Sequence, residues 1–175
     1  MMCASTLRRA AATALISGLC VGAVTSAPVA AAQPGPDCDD VWGARVQGAP
    51  PYYPGDRGGV YLWHDQGFHL RATHRVDDRV VYAGTVVSPT PMHMTPVALE
   101  DNDRADLSPD GRTLWFSFVN YGHTDGVDFT TDCADYLTVG PLTADNVLLT
   151  TDRIYLGATE IHPENNPLTI HRHEP

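Results

Sequence analysis

Histidine and aspartate carry the chemistry open to this sequence. It holds eight His among 175 residues, and 17 of its 21 acidic residues are Asp. The histidines stand at positions 64, 69, 74, 93, 123, 162, 171 and 173. His64 and His69 flank Asp65-Gln66-Gly67-Phe68. With Gln66-Gly67 as a two-residue hairpin loop, these two histidines pair across strands. Their Cβ atoms then lie about 4.5–5.5 Å apart on one face. Two imidazoles so placed, joined by His123 or Asp125, could share a Zn or Cu ion. No H-E-x-x-H or similar spacing supports them, so the metal reading stands second. Oxygen-rich runs offer Ca²⁺ another place: Asp101, Asp103 and Asp106 in one, Asp125, Asp128, Asp132 and Asp135 in another. Neither follows the alternating ligands and terminal Glu of an EF-hand loop. His171-Arg172-His173 reads as a frayed end with adventitious metal affinity.

Covalent catalysis finds little support. There is no G-x-S-x-G elbow, and Ser88, Ser108 and Ser117 have no neighbouring base in sequence. A spatial triad leaves no such trace. Glycine-rich phosphate loops are absent. Trp63 and Trp115 could stack on a sugar ring if exposed, although packing is the commoner fate of Trp.

The elements that must position these residues are strands. Nine candidates follow one another: 60–64, 69–74, 79–87, 97–100, 114–119, 136–139, 147–150, 153–156 and 168–171. In the strongest, Leu114, Phe116 and Phe118 alternate with Trp115, Ser117 and Val119. Turn signals recur at short intervals, as at Ser108-Pro109-Asp110-Gly111. No 3.6-residue period follows residue 32. The pattern predicts one all-β domain over 60–175, an antiparallel sandwich or barrel. Residues 33–59 hold five Pro and six Gly and read as an irregular strap held by Cys38 and Trp42.

Charge and targeting bound the partners. Formal charge is −10, and all eleven cations are Arg. An acidic chain of this kind lacks the basic footprint of a nucleic-acid binder or an anionic-membrane binder. Arg8-Arg9, the apolar run Ala10–Val24 and Ala30-Ala31-Ala32 form a secretory signal over 1–32, cleaved after Ala32. The apolar run is short for a membrane span, so no membrane anchor is expected. Export to an oxidising compartment predicts a Cys38–Cys133 disulfide, since Cys3 and Cys20 leave with the signal.

Three stretches carry a resemblance. Gly59-Val-Tyr-Leu-Trp-His-Asp-Gln-Gly-Phe-His-Leu-Arg-Ala-Thr-His and Asp110-Gly-Arg-Thr-Leu-Trp-Phe-Ser-Phe-Val-Asn-Tyr-Gly-His-Thr-Asp-Gly-Val-Asp-Phe resemble small secreted actinobacterial proteins of unknown function. So does Arg153-Ile-Tyr-Leu-Gly, followed by His162-Pro163 and Asn166-Pro167. The resemblance spans most of 59–172. It implies one compact β domain and brings no catalytic residues or cofactor with it. The leading expectation is therefore a secreted, non-catalytic module that binds an extracellular ligand or protein.

Overall fold

A computed structural model describes residues 42–48, 58–74, 78–149, 153–157, 159–161 and 166–173. Among them there is no helix, and two sheets face each other across one apolar core. The strands are β1 (Gly59–His64), β2 (Phe68–Thr73), β3 (Val80–Val87), β4 (Met92–Ala98), β5 (Arg104–Leu107), β6 (Thr113–Asn120) and β7 (Thr124–Thr131). There follow β8 (Tyr136–Val139), β9 (Thr143–Ala144), β10 (Val147–Leu148), β11 (Ile154–Leu156), β12 (Thr159–Ile161) and β13 (Leu168–His171). The first sheet runs β12-β11-β1-β2-β7-β4. The second runs β10-β9-β3-β6-β5, and β8 joins β3 beyond β9 and carries β13. Every strand pairing among the described residues is antiparallel except β1 with β11. Of the expected sandwich or barrel, the described residues form the all-β sandwich.

Alternation decides what each face does. Val60 and Leu62 of β1, Phe68, Leu70 and Ala72 of β2, and Val127 and Phe129 of β7 enter the core from the first sheet. Tyr82 and Val86 of β3 and Leu114, Phe116 and Phe118 of β6 enter from the second. Burying side chains of this size stabilises by about 1.5–3 kcal/mol each. Pro96 interrupts β4 beside a bulge, and β4 is an edge strand, where a missing N–H is tolerated. Trp42 is buried edge-on against Phe68, their ring centroids 4.6 Å apart. That contact anchors 42–48, as expected of Trp42. Cys38 and the rest of the strap lie outside the described residues.

Two expectations of local structure need correction. The β1–β2 turn has three residues, not two. Gln66 adopts φ 56°, Gly67 adopts φ 146°, and the Asp65 N–H donates to the Gly67 carbonyl at 2.9 Å. The extra residue pairs Trp63 with His69 and His64 with Phe68. A one-residue shift sends His64 and His69 to opposite faces. Second, the run beginning at Thr124 is strand rather than an acidic loop. Asp125 takes a core-facing position in β7, which broke the visible polar–apolar rhythm. Strands β5, β9 and β12 also went unseen, being only four, two and three residues long.

Candidate functional site

Four histidines each meet an aspartate. His69 Nδ1 lies 2.8 Å from Asp128 Oδ1, His74 Nε2 2.6 Å from Asp78 Oδ1, and His93 Nε2 3.0 Å from Asp132 Oδ1. His123 Nε2 lies 3.2 Å from Asp125 Oδ1. Three of these pairs follow β7, which carries Asp125 and Asp128 and ends just before Asp132. The excess of both residue types therefore builds carboxylate–imidazole pairs.

On the outer face of the first sheet, His69 and Asp128 are direct cross-strand partners. Arg71 donates from Nη2 to Asp128 Oδ1 at 2.6 Å and from Nη1 to the carbonyls of Val127 and Leu70 at 2.7 and 3.0 Å. Its guanidinium carbon sits 5.5 Å from the Trp63 ring, and Trp63 stacks on His69 at 4.9 Å. Gly126 makes the crossing possible. A Cβ there would stand 2.2 Å from the Leu70 carbonyl oxygen and 2.5 Å from Arg71 Cδ. Burial pushes the Asp128 carboxyl up, but the hydrogen bonds and charges of Arg71 and His69 outweigh it and hold it below the usual range. His69 Nε2 is also committed, 3.1 Å from the Asp65 carbonyl. Beside this network lies an open groove of about 190 Å³, lined by Gln66, His69, His93, Thr95, Asp128 and Thr130 among others.

The second cluster lies where β6 passes into β7. Asn120 and Asp125 are both buried, from opposite sheets, and Asn120 Nδ2 donates to Asp125 Oδ2. The Tyr121 N–H donates to His123 Nδ1 at 3.3 Å. With Nδ1 accepting, the Nε2 position is left for the ring proton; it lies 3.2 Å from Asp125 Oδ1 without hydrogen-bond alignment, with Glu100 Oε1 at 3.9 Å. Asp103 is spent on backbone, accepting from Val119 at 2.7 Å and Glu100 at 2.8 Å. Asp125 is 1% exposed. Burial first, then the nearby Asp103 and Glu100 charges, raise its carboxyl to about 6 against the opposing pull of His123 and Asn120.

This geometry does not make a nucleophilic triad. The Thr124 hydroxyl donates to Thr73, and the Thr73 hydroxyl donates to the His123 carbonyl, so neither meets an imidazole nitrogen. Ser108 serves its turn, donating to Asp110 and accepting from Thr113. Ser88 accepts from the Thr90 N–H.

The residues singled out for metal are dispersed. His64 is buried on the core face, edge-on to Phe68, while His69 lies on the outer face. His123 and Asp125 form their own pair at the β6–β7 turn. Among the described residues no three His, Cys, Asp or Glu groups gather as a metal site. Asp125 and Asp128 cannot share a Ca²⁺ ion, because three residues along a strand places them on opposite faces. Trp63 is 8% exposed and serves packing, whereas Trp115 is 47% exposed on β6. His171 packs near Tyr136, and His162 lies outside the described residues. Sequence reasoning missed Arg71 and Asn120 as partners. The signal was β7 itself: once it is a strand against β2, the register pairs His69 with Asp128.

Comparison with protein-family models, curated proteins and solved structures finds no match for the chain.

Proposed function

We propose that this chain is an exported, non-catalytic binding module that meets its ligand at the groove on the outer face of the first sheet. One observation carries the reading. Two polar side chains of the groove are held by partners within the chain, His69 at both nitrogens and Asp128 by Arg71 and His69. Fixed polar edges beside an open groove suit recognition, because little side-chain entropy is lost when a ligand arrives. An enzyme using the His69 imidazole as a base would need one of its nitrogens free to take a proton.

Export rests on the signal-like features of 1–32, in keeping with the small secreted actinobacterial proteins that 59–172 resemble. In that compartment Cys133 pairs with Cys38. Closing so long a loop contributes about 4–5 kcal/mol in the chain-entropy account. Intact-mass analysis of the exported protein tests both. A chain starting at Gln33 and lighter than the reduced form by two hydrogens is expected; a retained N-terminus or free thiols would count against them.

Binding is tested by amide NMR of the mature chain against a library of small polar fragments. Fragment-induced shifts should gather on Gln66, Thr95 and Thr130 and vanish in His93→Ala/Thr130→Ala. Turnover of ester, phosphate or glycoside substrates, abolished by His69→Ala or His123→Ala, would sink the non-catalytic reading.

A further inference from the structure

A different site lies at the β9–β10 edge of the second sheet. A pocket of about 290 Å³ is lined there by Val80, Ala144, Val147, Leu148 and Leu149, with Asp145 and Arg153 at hand. Val147 and Leu148 are 68% and 43% exposed, an unusual fate for neighbouring large aliphatics. Local backbone explains how they are displayed. Asp145 and Asn146 take φ 49° and 64°, the paired positive values of a tight hairpin turn, so Val147 follows at once on an edge strand. Asp145 is committed to that turn, its Oδ1 accepting from the Val81 N–H at 3.0 Å.

Arg153 is the odd member. Its backbone is fixed, since its carbonyl accepts from the Val60 N–H at 2.9 Å. Its guanidinium has no hydrogen-bond or ion-pair partner among the described residues. Half-buried beside an apolar pocket, this guanidinium is placed to hold the anionic head of a ligand whose tail fills the pocket. We infer that this pocket binds a small amphiphilic carboxylate, its apolar tail against Val147, Leu148 and Leu149 and its carboxylate on Arg153. At about 30 Å³ per non-hydrogen atom the pocket takes about ten such atoms, the size of a medium-chain fatty acid. A planar guanidinium matches a carboxylate bidentately, which favours this head group over an alcohol. The inference does not rest on the groove of the first sheet.

The test is an NMR titration of the full exported chain with octanoate, and separately with octanol. Octanoate should bind saturably, shift Val80, Ala144 and Leu148, and bind at least about tenfold more tightly than octanol. Arg153→Gln should lower octanoate affinity to the octanol level. Asp145→Asn, which keeps the turn and its acceptor, should leave octanoate binding equal or stronger by removing the only acid among the described residues that line the pocket. If Arg153→Gln fails to fold, the octanoate–octanol comparison on the native chain decides alone. Equal binding of the two probes would overturn the assignment, leaving an apolar groove. Absence of saturable shifts at these residues would overturn it too.

Discussion

Asp125 and Asp128 stand three residues apart in one strand, yet their surroundings push their carboxyls in opposite directions. Asp128 is stabilised as the anion by Arg71 and His69, so its contribution is present above the ordinary carboxylate range near 4 and is lost as pH falls through its lowered folded value. Asp125 behaves oppositely. The folded protein keeps its proton up to about 6 while the unfolded chain releases it near 4. Stability attributable to Asp125 therefore falls as pH rises from about 4 to 6, by about 1–3 kcal/mol, and is flat above. Urea unfolding across this range should show that decline, and Asp125→Asn should flatten it. A decline that persists in the variant would assign it elsewhere. Asp128→Ala should cost about 1–3 kcal/mol at pH 7, because a guanidinium held against the sheet loses its acceptor. The same unfolding experiment reads that loss.

At the scale of elements, β7 decides most of what the site can be. It is paired on both sides, by β2 and β4, and carries one member of two His–Asp pairs. Gly126 in its middle is irreplaceable by geometry. Gly126→Ala would drive a Cβ into the Leu70 carbonyl and the Arg71 stem, and backbone at that distance must shift. A loss of about 2–4 kcal/mol is expected, visible as a lowered urea midpoint at unchanged slope. This strand was also the least legible. β6 was read almost residue for residue, since Leu114, Phe116 and Phe118 advertise a period of two. β8 and β13 were read to their ends. β7 hid because Asp125 and Gly126 are poor strand formers, and Asp125 is buried only through partners on other elements, Asn120 and His123. The hairpin was legible as a hairpin, but its length was not. One residue at positive φ, Gln66, moved His64 to the core face and dissolved the proposed metal pair.

For the whole molecule, an acidic sandwich exposes a polar groove on one sheet and, on the other, an apolar pocket whose Arg153 meets no ion-pair partner among the described residues. Its fold class followed from alternation and turn residues alone. Its candidate sites did not, because they depend on register between strands far apart in sequence: β2 with β7, and β9 with β3. Four of the eight histidines face an aspartate, and the proposed function uses them as such partners in a molecule that binds rather than catalyses or carries metal. Two-bond ¹H–¹⁵N spectra of the histidine rings, recorded at neutral pH before and after one equivalent of Zn²⁺, test it most directly. His123 is expected to carry its proton on Nε2, with His69 and His123 unmoved by the metal. Stoichiometric movement of both rings, or a His123 proton on Nδ1, would contradict it.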